Sequence, residues 1–266
     1  MEKRKAGNLN FKQSQNFENG PNPKDLVFGT RAVIETIRSG KEIDKLLIQK
    51  GLSNDLINEL IKLASSLGIP YSKVPVEKLN RITRKNHQGA ISFLSAINYA
   101  SLDNVISECF SQGKSPFLII LDRITDVRNF GAVARTAECA GVDAIIIPGK
   151  GSAQITSDAM KTSAGALNFI PVCREDNLKI TINYLKESGI QIIACTEKAE
   201  KSIFEMDFNH PTAIILGSEE DGISPEYLRL ASDKSSIPTL GHIESLNVSV
   251  AAAVVLYEGV RQRKKH

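Results

Sequence analysis

The stretch FLIILDRITDVRNFGAVARTAECAG, Phe117–Gly141, joins an apolar run to a polar loop and then to a segment of helical period. The run FLIILD reads as a strand of a sheet covered on both faces, because no polar residue interrupts it before Asp122. A helix follows. Asn129 stands where its cap is expected, since an Asn side chain accepts from amides that a first helical turn leaves unsatisfied. Inside the helix Gly131, Arg135 and Glu138 share one side at spacings of four and three. Helical side chains lean toward the N-terminus, so Arg135 leans over Gly131. Glycine is a poor helix former, and its place here needs a reason. One reading is room for a ligand or a backbone beside the guanidinium. The other is an ordinary surface carrying an Arg135–Glu138 pair worth a few tenths of a kcal/mol.

Downstream the strand–helix rhythm continues. DAIIIP (143–148), IQIIACT (190–196), TAIILG (212–217) and KSSIP (234–238) read as strands. DNLKITINYLKESG (176–189) and SPEYLRLAS (224–232) read as helices, and a last helix begins near Leu246. Apolar strands alternating with helices predict an α/β domain with a mostly parallel sheet over 116–266. Upstream, residues 25–98 show a smaller α/β alternation. A helix capped by Thr30 and ended by Gly40 is followed by the strand DKLLIQK, the helix NDLINELIKLASSLG, the strand IPYSKV, the helix VEKLNRIT and the strand GAISFLSA. Residues 99–115 form a linker with a short helix, and the polar tail 1–24 is expected to be disordered. Its Lys3-Arg4-Lys5 cluster suits either RNA phosphates or plain solubility.

Composition is that of an ordinary globular protein, with 42% hydrophobic residues and a net charge of +3. So weak a charge demands clustering before nucleic acid is invoked. Cys109, Cys139, Cys173 and Cys195 are scattered, with no C-x-x-C pair and no zinc spacing, which suggests a reduced, cytoplasmic protein without a metal. No apolar run reaches membrane-span length, and the N-terminus lacks a signal core.

Two further loops at strand ends carry polar residues that packing alone leaves unexplained. In LGSEEDGIS (216–224), Gly217 and Gly222 bracket three carboxylates, Glu219 among them. No Lys-Ser/Thr follows, so this is no phosphate loop; acidic groups suit hydroxyls, amines or a cationic ligand. An acidic turn before a helix begun by Ser224-Pro225 is the alternative. In IPTLGHIESLNVSVAAAV (237–254), Ser245, Asn247 and Ser249 gather at a helix start, where one of them serves as cap.

Taken in order and spacing, NFGAVART, LGSEEDG and IPTLGHIESLNVSVAAAV resemble the three motifs of the SpoU family of RNA 2′-O-ribose methyltransferases, within the SPOUT superfamily. KTSAGAL (161–167) is similar to a family segment between the first two. FGTRAVIETIRSGKEIDKLLIQKG and NHQGAISF resemble the L30e-like substrate-binding domain of one family branch, the RlmB type that methylates guanosine in 23S rRNA. The resemblance implies a C-terminal domain tied in a trefoil knot, a homodimer, and S-adenosylmethionine as methyl donor. It implies donor-binding groups at Thr196, Gly217, Ile237 and Leu246, and a reaction centre of Arg135, Asn129, Glu219, Ser245 and Asn247. A guanidinium with pKa above about 12 is a poor base, so Arg135 is expected to bind phosphate and stabilise alkoxide charge. Glu219 either accepts a proton or holds Arg135. Arg31, Arg81, Arg84 and Lys85, with Lys41, Lys45 and Lys50, are candidate RNA contacts. A tRNA substrate, or a non-catalytic ribosome-assembly role, are the competing expectations.

Overall fold

The computed structural model describes residues 25–264, so the N-terminal tail and its basic cluster lie outside the described residues. The front unit runs β1 (Leu26–Phe28), α1 (Thr30–Arg38), β2 (Ile43–Gln49), α2 (Asp55–Ser66), β3 (Tyr71–Val74), α3 (Val76–Ile82) and β4 (Ala90–Leu94). Its sheet has the order β1-β4-β2-β3, antiparallel except for β2 beside β3. Val33, Ile34 and Ile37 of α1 meet Ile57, Leu60 and Ala64 of α2 over one face of this sheet. Thr30 is not the cap of α1. That position belongs to Gly29, at φ 95°, and the Thr30 hydroxyl donates instead to the Gln88 carbonyl at 2.8 Å.

After α4 (Leu102–Ser111) comes the larger unit. Its elements are β5 (Phe117–Leu121), α5 (Val127–Cys139), β6 (Ala144–Pro148), α6 (Ser157–Thr162), β7 (Val172–Glu175), α7 (Leu178–Glu187), β8 (Gln191–Cys195), β9 (Thr212–Leu216), α8 (Pro225–Leu230), β10 (Asp233–Ser235) and α9 (Val248–Arg263). Six strands lie in the order β10-β8-β9-β5-β6-β7, and every neighbouring pair is parallel. Helices cover both faces: α5 and α9 one, α4, α7 and α8 the other. The central strands β5 and β9 are buried along their whole length, as their unbroken apolar runs require. Three elements carry no sequence signal: β1 and β7 are short edge strands, and α6 is a helix of six residues. No helix among the described residues is long and apolar enough to cross a membrane.

Two details correct the local reading of the opening stretch. Asp126, not Asn129, caps α5, accepting from the amides of Arg128 at 2.7 Å and Asn129 at 3.0 Å. Gly131 is present because a backbone comes close: a Cβ there would lie 2.0 Å from Thr162 Oγ1 and 2.9 Å from the Ser163 amide nitrogen.

At the C-terminus, α9 packs along α5 and starts at Val248, two residues later than its pattern suggested. Its Arg263 guanidinium lies 4.4 Å from the Phe117 ring centroid and donates to the carbonyls of Phe208, His210, Ser115 and Pro116. The two units meet at Asp44. Its carboxylate accepts from the Ile155 amide at 2.6 Å and from the Tyr99 hydroxyl. Arg174 stacks on the Tyr99 ring at 4.1 Å and donates to the Ile43 carbonyl at 2.9 Å.

Candidate active site

The C-terminal ends of β8, β9 and β10 open into a cavity of about 490 Å³, the size of a small-molecule site. Carboxyl ends of parallel strands are where open α/β sheets bind ligands. Thr196, Gly217, Ile237 and Leu246 all line it, as do Ser245, Glu219 and Asn247. The acidic loop after β9 forms one wall and turns back on itself at Gly217. A Cβ at Gly217 would lie 2.1 Å from the Gly222 carbonyl carbon, so no larger residue fits. The opposite wall is the segment from Glu244 to Val248, which leads into α9.

At the edge of this cavity three distant loops meet. Asn129 Nδ2 donates to Glu219 Oε1 at 3.0 Å, and Asn247 Nδ2 donates to the same oxygen at 2.5 Å. Asn247 Nδ2 also lies 3.1 Å from Asn129 Oδ1. The geometry depends on each residue's place in its element. Because Asp126 takes the capping role, the Asn129 side chain is released from it and reaches across to Glu219. Asn247 does both jobs: its Oδ1 caps α9 by accepting from the Ser249 amide at 2.9 Å, while its Nδ2 holds Glu219. Ser245 and Ser249 are therefore not the cap.

Arg135 is elsewhere. It sits on the exposed side of α5, does not border the cavity, and pairs with neither Glu219 nor Glu138. Of the two roles open to Glu219, holding Arg135 is not the one adopted.

The lining chemistry suits a cationic ligand. Glu197, Glu219, Glu220, Asp221 and Glu244 face Lys198 as the one basic residue of the wall. A sulfonium and an ammonium group would both find charge complements there. Cys195 also lines the cavity, and burial, with Glu197 nearby, pushes its thiol up to about 12. It stays protonated at neutral pH, so an electrophilic methyl group meets no thiolate. Among the described residues no group of three or more His, Cys, Asp or Glu side chains could hold a metal ion.

The model of the SpoU rRNA methylase family matches residues 116–257, just over half of the chain. The chain belongs to the SpoU family. A second model, for the RNA 2′-O ribose methyltransferase substrate-binding domain, matches residues 26–100. A Staphylococcus saprophyticus protein described as a TrmH family tRNA/rRNA methyltransferase is 38% identical over 242 residues, covering 90% of this chain and 96% of its own. A Bacillus subtilis protein of the same description is 35% identical over 243 residues, with the same coverage. Among solved structures, the fold is similar to that of the Streptomyces viridochromogenes SpoU methyltransferase AviRb in complex with AdoMet. The TM-score is 0.58 at 23% identity, covering 91% of each chain. It is also similar to an AdoMet-bound rRNA methyltransferase from Sinorhizobium meliloti, with TM-score 0.57 at 24% identity, covering 89% of this chain and 86% of that one. This SpoU protein is thus an RNA methyltransferase.

The sequence missed the cap at Asp126, although an Asp three residues before Asn129 was a capping signal in plain view. It also missed Glu197, which carried no signal, and Glu244, which stood unremarked in the third quoted loop; Glu220 and Asp221 were read only as part of an acidic loop suited to a cationic ligand.

Proposed function

We propose that this SpoU protein methylates a ribose 2′-hydroxyl, and that its target is a guanosine of large-subunit 23S rRNA. The observation that carries the reading is the meeting of Asn129, Glu219 and Asn247 at the edge of the donor cavity. The donor in this reading is S-adenosylmethionine; when bound, it supplies an already activated methyl group on a sulfonium, so the chain's work is alignment and proton removal. Glu219 Oε1 is occupied by the two amides, while Oε2 has no hydrogen-bond partner among the described residues. Glu219 thus accepts the hydroxyl proton with Oε2, and Asn129 and Asn247 fix the carboxylate's orientation. Gly217, Ile237, Leu246 and Thr196 hold the donor, and Ser245 contacts the ribose. Arg135, exposed and without a partner among the described residues, binds a substrate phosphate outside the cavity.

The front unit reads the RNA. Arg31 at the start of α1, Lys50 after β2, and Arg84 and Lys85 before β4 lie at one end of its sheet; Arg81 precedes the last two on α3. Lys85 lies 5.7 Å from the Phe28 ring centroid. Lys41 precedes β2 at the opposite end, where Asp44 docks on the larger unit. The seven residues of β2 separate those ends by about 20 Å.

Exposed Leu240, Ile243, Leu246, Val250 and Tyr257 on the third loop and α9 support a homodimer through that face. The trefoil knot belongs to the same reading. Its support is that residues 245–247 return to 217–219 although β10, between them in sequence, lies at the sheet edge.

Arg135→Lys tests the assignment. With tritium-labelled S-adenosylmethionine and total RNA from a deletion strain, transfer is expected to fall nearly to background while donor affinity by calorimetry holds. Near-normal turnover would remove Arg135 from the chemistry. Mapping ribose methylation in the same RNA names the target: a lost methyl group on 23S guanosine supports rRNA, and one lost only from tRNA overturns it.

A further inference from the structure

Arg123 has φ 59°, a left-handed backbone conformation that residues with a Cβ rarely adopt. Its side chain explains what is gained. Nε donates to Asp122 Oδ1 at 3.2 Å, Nη1 to Asp221 Oδ2 at 2.9 Å, and Nη2 to the Gly222 carbonyl at 3.1 Å. Every branch of the guanidinium is engaged, and two of the three reach across about a hundred positions of sequence to the acidic loop. Asp122 completes the clasp. Its side chain is 2% exposed, and its other oxygen accepts from the Ser224 amide at 2.7 Å, just past that loop. The loop itself is closed by the Gly222 amide donating to the Ser218 carbonyl at 2.9 Å and the Asp221 amide donating to Ser218 Oγ at 3.2 Å. Glu219 sits inside that closed turn and is the meeting point of Asn129 and Asn247.

We propose that Arg123 is a positioning residue for methyl transfer, clasping the 218–222 loop so that Glu219 and the donor-cavity wall are held in register before either ligand binds. Arg123 touches neither the cavity nor the Asn129–Glu219–Asn247 contacts, and acts through Asp221 and Gly222. A local strain persists where surrounding contacts determine it, and such residues cluster where geometry must be fixed. The inference rests on the reading of Glu219 given under the proposed function, and the controls below separate the two.

The informative variant is Arg123→Gly, because glycine accepts the left-handed backbone freely. It deletes the clasp while relieving the strain. Arg123→Lys, Asp221→Asn and Glu219→Gln are compared with it, using labelled donor and total RNA from a deletion strain. Arg123→Gly is expected to melt at or above the wild-type temperature yet lose roughly tenfold to a hundredfold in kcat, since a misplacement of about 1 Å can cost about a hundredfold. The apparent KM for RNA should hold, and Arg123→Lys should recover part of the loss. Wild-type kcat in Arg123→Gly, with Glu219→Gln impaired, overturns the clasp alone. Wild-type kcat in Glu219→Gln overturns the reading of the site and the clasp with it. Loss of kcat in step with a lowered melting temperature marks Arg123 as merely structural and also overturns the proposal. Should Arg123→Gly fail to fold, Asp221→Asn decides: Asp221 is largely exposed, so the variant folds, and because it also borders the cavity kcat is read at saturating donor, where an unchanged value sinks the proposal.

Discussion

Asn247 holds the Ser249 amide with one end of its side-chain amide and Glu219, at 2.5 Å, with the other. The two ends can be separated by one substitution. Aspartate caps helices as well as asparagine does, so Asn247→Asp preserves the start of α9. It also sets a second carboxylate against Glu219. Melting temperature at neutral pH should fall little, whereas turnover should fall by about two orders of magnitude. Asn247→Ala removes the cap as well and should cost about 1 kcal/mol of stability in urea unfolding. Wild-type turnover in Asn247→Asp would show that the contact with Glu219 is idle.

A pH effect follows from Asp44. Burial raises its carboxyl pKa above the ordinary value, partly offset by the Tyr99 and Ile155 hydrogen bonds and by Arg174. The folded state therefore holds this proton more tightly than the unfolded state does. Its contribution to stability is complete below the unfolded value of about 4 and is lost as pH rises through the raised folded value. Asp44→Asn cannot titrate. The stability of wild type relative to Asp44→Asn should decline as pH climbs from about 4 and then level off. A constant difference across that window in denaturant titrations would contradict the burial argument.

The proposed RNA contact by the front unit has a salt signature. Each phosphate contact removed lowers the slope of log affinity against log salt by about 0.7–0.9. Arg84→Ala with Lys85→Ala should weaken binding of a 23S rRNA hairpin fragment and flatten that slope by about twice this amount, with donor affinity unchanged. An unaltered slope would assign both residues to plain solvation.

Much of this was legible in the sequence. The buried parallel strands announced themselves as unbroken apolar runs, FLIIL and TAIIL most clearly. The loops bearing Gly217 and Asn247 stood out because their polar residues had no packing reason to be there. What sequence could not supply was which polar side chain does which job. Asp126 and Asn129 are both good caps, and only the true start of α5 at Val127 decides between them. Gly131 raised a question that its neighbours 31 and 32 positions later, Thr162 and Ser163, answer. The short edge strands β1 and β7 hold too few residues for a periodicity to register, and the left-handed backbone of Arg123 leaves no trace in residue type at all.

The Arg263 guanidinium binds carbonyls at Ser115 and Pro116, where the larger unit begins, and α9 begins with the cap that orients Glu219. Synthesis runs from the N-terminus, so the front unit emerges from the ribosome and can fold while the donor cavity still lacks a wall. A nascent or truncated chain ending before Ser245 would carry the front unit but could not bring Asn247 to Glu219. Competence for methyl transfer therefore waits until the third loop has closed that wall.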